Sequence, residues 1–175
     1  MNSLLEDTIT CLNQGSELVS RLESQAYCQP VEACFNSSIG GHMRHNVDHY
    51  QCFVKGLATG SIDYDARGRD ATVEQQPERA AACLRAIVDE LKQIDTAQLD
   101  TAVLVRMDSG TADRSDCESH STYRRELQFL LSHTVHHFAL IAVMAHILGI
   151  AVAPEFGVAP STLKHHKGIE GECAR

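Results

Sequence analysis

Histidine crowds two short stretches of this chain. HMRHNVDH, residues 42–49, holds His42, His45 and His49; HTVHH, residues 133–137, holds His133, His136 and His137. An α-helix advances about 100° per residue, so offsets of three, four and seven share a face. On helices, His42, His45 and His49 therefore form one stripe. His133 and His137 form another, with His136 on the opposite flank of His133. A neutral imidazole carries one donor and one acceptor. A lone histidine on an apolar face is ordinarily a core residue with one hydrogen bond. Several buried together without partners cost about 1–3 kcal/mol per unsatisfied group. A shared cation removes that cost, because each ring gives its lone pair to the ion and its N–H to a neighbouring acceptor. The stripes point to a divalent-metal site, with a purely structural histidine cluster as the alternative. Histidine suits zinc, nickel, copper and iron alike, so residue type does not name the metal.

Other groups have weaker claims. Glu126, seven residues before His133, shares its stripe and can serve as a general base or an acceptor behind a ligand, but an ordinary helix-entry glutamate is the preferred reading. Asp48 can orient His45 or pair with Arg44 on the surface. Arg124 and Arg125 open the last helix, where arginines are commonly solvated. Cys52 follows His49 by three residues but lies in no nucleophile signature, and small buried cysteines are frequent in cores. The chain has no P-loop, dinucleotide fingerprint, G-x-S-x-G elbow or H-E-x-x-H.

Helices must hold the histidines. Leu5, Ile9, Leu12, Val19 and Leu22 recur at helical intervals and predict a first helix over about 3–25. Ser37 or Ser38 caps a second over about 38–58. After the polar loop TGSIDYDARGRDATVEQQ, Pro77 opens a third that runs to about Ile94. TAVLVRM alternates like a strand and can pair with residues near Ser115 to Ser121 across DSGTAD. The last helix, RELQFLLSHTVHHFALIAVMAHIL, ends at Gly149. Residues 150–175, with Pro154 and Pro160, read as an irregular tail. The expectation is one all-α domain over 1–175. It is a four-helix bundle whose long loops permit crossover connections, with a short β-hairpin inserted before the last helix.

With 175 residues and a net charge of −8, the chain can bury a core but is poorly suited to nucleic acid or an anionic membrane. Its seven cysteines are irregularly spaced, with no CxxC, as free thiols in a reducing cytosol would be. The N-terminus lacks the basic and apolar regions of a signal peptide. The apolar run FALIAVMA is too short to span a bilayer. A soluble cytoplasmic protein is expected.

SSIGGHMRHNVDHYQ, the loop IDYDARGRD and HTVHHFALI together resemble the DinB/YfiT-like superfamily of metal-binding four-helix bundles. The resemblance spans the second to fourth long helices. It implies one divalent ion, zinc, nickel or iron, on three histidines: His45 from the second helix and the pair His133 and His137 from the last. His42 and His49 have no fixed role in that pattern, and His136 is not a usual ligand. Three protein ligands leave positions open for substrate, as in catalytic sites. The resemblance therefore implies a transferase or isomerase that activates a low-molecular-weight thiol, or a hydrolase that activates water. The competing class is a non-catalytic metal-binding structural, sensor or binding module. The resemblance also implies a homodimer, which the broad apolar surface of the first helix favours.

Overall fold

The computed structural model describes residues 3–108, 110 and 117–165. Four long helices carry the fold: α1 (Ser3–Val19), α3 (Ile39–Thr59), α5 (Pro77–Lys92) and α6 (Tyr123–Ile147). Short helices α2 (Ser24–Cys28) and α4 (Ala71–Gln75) lie between them. Strands β1 (Ser61–Asp63), β2 (Ala102–Arg106) and β3 (Glu118–Thr122) complete the elements, with single 3₁₀ turns at Glu32–Cys34 and Thr96–Asp100.

The long helices form a closed ring of neighbours: α1 against α5, α5 against α3, α3 against α6, and α6 against α1. Sequential helices α1 and α3 are thus diagonal, as are α5 and α6. The chain crosses the bundle twice, and these are the crossovers that the long loops permit. One core joins Leu12, Val19, Phe53, Leu84, Leu130 and Phe138 with their neighbours.

The second helix starts where the sequence predicts, with the Ser38 hydroxyl accepting from the Gly41 N–H at 3.0 Å. It stops at Gly60, whose φ of 72° reverses the chain into β1. The first helix stops earlier than predicted. Its last turn tightens through Arg21 N–H to Leu18 O at 3.1 Å, and Glu23 is extended before α2. This break lets Tyr27, fully buried, donate to the Val73 carbonyl at 2.7 Å. A tertiary contact therefore overrides a continuing helical pattern.

β2 and β3 form the expected antiparallel hairpin, pairing Ala102 with Thr122 and Arg106 with Glu118. Its turn, DSGTAD, lies largely outside the described residues. β1 adds a parallel third strand with Ile62 opposite Val105, which the sequence reading missed. Three residues are too few to show alternation. β3 runs directly into α6, whose first turn is capped by Thr122 accepting from the Arg125 N–H.

The tail is more ordered than expected. Phe156 stacks on Phe138 with centroids 4.7 Å apart, and residues 160–165 are helical. Among the described helices, α6 is long and apolar enough to cross a membrane by length and composition, although the apolar run within it is short. It packs against α3 and α1 as one of the four helices of the ring.

Candidate metal centre

The two histidine stripes meet where α3 lies against α6. His45 Nε2 is 2.8 Å from His133 Nε2, and His42 Nδ1 is 2.7 Å from His137 Nδ1. The ring centroids of His45, His133 and His137 form a triangle with sides of 4.9, 4.5 and 4.6 Å. His49 belongs to the same cluster, 4.3 Å from His45 and 4.8 Å from His133 by centroid. One ligand atom from each of His45, His49 and His133 lies within 4.8 Å of the others. His136 is exposed, its ring edge-on to His137 at 5.4 Å, outside the cluster.

The electrostatics favour neutral rings. Burial, reinforced by the neighbouring imidazoles, pushes both His45 and His137 down to about 3 and His133 down to about 4. Burial also lowers His42 and His49. Lone pairs are therefore available at neutral pH. Two nitrogens each about 2.0–2.1 Å from one tetrahedral ion lie roughly 3.4 Å apart, so the His45–His133 contact needs to open by only about half an ångström. With its proton on Nδ1, His137 donates to His42 and keeps Nε2 for an ion. Beside the cluster, among the described residues, His42 Nε2 and both polar atoms of the fully buried Asn46 have no hydrogen-bond partner. The donor set thus fits a divalent ion.

His49 differs from the other rings. It is 2% exposed, and its Nδ1–H donates to the His45 carbonyl at 2.7 Å. That fixes the lone pair on Nε2, which accepts from an Arg67 guanidinium N–H at 3.0 Å. Arg67 comes from the loop after β1, which folds back over the site. In the same loop the Arg69 N–H donates to Asp48 Oδ1 at 3.2 Å, and the Tyr64 hydroxyl donates to Glu126 Oε2 at 3.1 Å. Sequence reasoning missed Arg67 and Tyr64. The loop resembles the family, yet no spacing rule links residue 67 to residue 49.

The secondary candidates change place. Asp48 is buried rather than superficial, and burial raises its carboxyl above the usual range. Arg44 instead pairs with Glu74, Nε to Oε2 2.8 Å. Glu126 is no solvated helix-entry residue: it is buried and also accepts from the Ser121 hydroxyl at 2.6 Å, tying β3 and the Tyr64 loop to α6. Arg124 is held by Asp100 through contacts of 2.6 and 2.8 Å. Cys52 is buried, which raises its thiol above the ordinary range. Cys11, Cys28, Cys34, Cys52 and Cys83 are free thiols.

A cavity of about 520 Å³ adjoins the cluster, with His42, His45 and His137 in its wall beside Arg44, Glu74 and Phe35. Two of the three histidines implied by the resemblance therefore border space that a small molecule can enter.

A ring of four helices with a small sheet before the last is a DinB-like fold. A DinB-like protein from Bacillus subtilis, solved by crystallography, superposes with a TM-score of 0.60 over 87% of this chain and 96% of that one, at 19% identity. In sequence, the chain is 33% identical over 109 residues to FK506-binding protein 5 of Rhizopus delemar. That match covers 61% of this chain and 28% of the fungal protein. No family model matches the chain.

Proposed function

We propose that this chain is a metal-dependent enzyme holding one divalent ion, zinc, nickel or iron, on His45, His133 and His137. The observation that carries the reading is the meeting of these three neutral rings within 4.9 Å of one another beside the cavity. Such an ion supplies positive charge that acidifies a water or a thiol at an open position. The protein's part is to converge three lone pairs and to leave one side of the centre facing a binding space. His42 holds His137 by its Nδ1, and Arg44 and Glu74 give the cavity wall one charge of each sign. The substrate is a small molecule, either a low-molecular-weight thiol carried into a transfer or isomerisation, or a compound hydrolysed by the activated water. The enzyme is cytoplasmic and works as a homodimer.

A second reading has its own support. Ligand atoms of His45, His49 and His133, one from each, lie within 4.8 Å of one another. A shell closed by His49 would make the ion structural, within a non-catalytic sensor or binding module.

Metal content of untagged protein after dialysis against a weak chelator tests the assignment. Wild type should retain one equivalent. His137→Ala should lose most of it, and His136→Ala should retain it. Loss of metal in both His137→Ala and His49→Ala selects the closed shell, full occupancy in His137→Ala with loss in His49→Ala makes His49 the third ligand in place of His137, and a wild type without stoichiometric metal removes the enzyme reading.

A further inference from the structure

His49 raises a question of coordination number. It stands beside His45 and His133 at ligand range. A fourth imidazole there would fill the position that an open site leaves to substrate. Both its nitrogens are nevertheless committed, Nδ1 as donor to the His45 carbonyl and Nε2 as acceptor from Arg67. Arg67 is half-buried, and its loop is pinned on either side by Tyr64 on Glu126 and by Arg69 on Asp48. The guanidinium is therefore delivered to His49 by a folded segment.

We propose that Arg67 is a positioning residue that keeps His49 out of the metal's coordination shell and so preserves the open position. The proposal rests on the three-histidine reading of the centre. Its physical basis is competition for one lone pair. While Arg67 donates to Nε2, the ring has nothing to offer a cation, and a cation approaching Nε2 also meets the guanidinium charge. Remove the guanidinium and Nε2 becomes a buried acceptor without a partner, an unfavourable state. Binding the ion relieves that cost, and the three-histidine site becomes a four-histidine site.

The test uses the full-length protein loaded with cobalt(II), titrated with chelator for affinity and with 2-mercaptoethanol for thiol binding, followed by the thiolate charge-transfer band. Arg67→Met should bind cobalt about tenfold or more tightly and lose about tenfold in thiol affinity. Arg67→Lys, which keeps a donor and a charge, should stay near wild type. In a His49→Gln background Arg67→Met should gain less than about threefold. An Arg67→Met affinity unchanged or weakened, while wild type binds cobalt normally, overturns the inference and leaves the metal-centre reading standing. An equal gain with and without His49 overturns it too, because charge alone then accounts for the effect. A wild type that binds no cobalt overturns both. Circular dichroism confirms that each variant is folded before titration.

Discussion

The histidines of α3 and α6 are held neutral by their own burial, and that sets how the protein meets acid. His45, His133 and His137 protonate at about 3 to 4 when folded, against 6.5 for an unperturbed ring. Between those values the unfolded chain binds protons that the folded chain refuses. The stability tied to these rings is thus complete above pH 6.5 and declines as the pH falls toward 4. A bound ion competes with the proton for the same lone pair, so metal shifts acid unfolding to lower pH, and acid in turn releases the ion. Helical ellipticity followed from pH 7 to pH 3 should show the metal-free protein unfolding first and the zinc-loaded protein at lower pH. Superimposed curves would deny the ion any hold on these rings. The convergence of the two stripes was legible in the sequence because helical periodicity places offsets of three and four on one side. The Arg67 contact was not, since a loop residue has no period and its partner lies 18 positions away.

Among the elements, α3 does the most positioning, and its first turn shows how. Gly40 sits where α4 and α2 press against it. A methyl group built there would collide with the Glu74 backbone carbonyl and come within 2.8 Å of the Tyr27 ring. Backbone cannot swing aside as a side chain can. Gly40→Ala should therefore destabilise the protein by about 1–3 kcal/mol, or about 2–4 °C in Tm for each kcal/mol. Gly41→Ala, whose nearest neighbour is the Ser37 hydroxyl at 3.2 Å, is the matched control and should cost less. Calorimetry on the pair decides; equal melting temperatures would mean that α4 yields easily. Capping and periodicity made α3, α5 and α6 readable in advance, and alternation exposed the hairpin. The end of α1 and the strand β1 were hidden for the same reason. Each is dictated by a partner remote in sequence, Tyr27 on Val73 in one case and Ile62 beside Val105 in the other.

The molecule as a whole was only partly legible. The four long helices and the need for crossovers follow from pattern and loop length, but the short helices α2 and α4 and the ring order α1–α5–α3–α6 do not, since amphipathic faces do not name their partners. That order also alters the argument for a dimer. The apolar breadth of α1 is used inside the bundle, where Leu5, Leu12 and Leu18 are buried between α5 and α6. Val143 and Ile147, each 51% exposed on α6, remain as outward apolar surface. Light scattering at micromolar concentration should give about twice the 19.2 kDa chain mass, and the mass of one chain would refute the homodimer.

The bonds that join the stripes also carry a kinetic meaning. His45 and His133 are 88 residues apart, and His42 and His137 are 95 apart. Closing such spans costs entropy before any contact rewards it, so these pairs belong to the late, non-local part of folding. During synthesis α3 emerges with half of the centre and waits for nearly the whole of α6. An ion bound at that centre would therefore join late, once α3 and α6 have met, as the last component to be fitted.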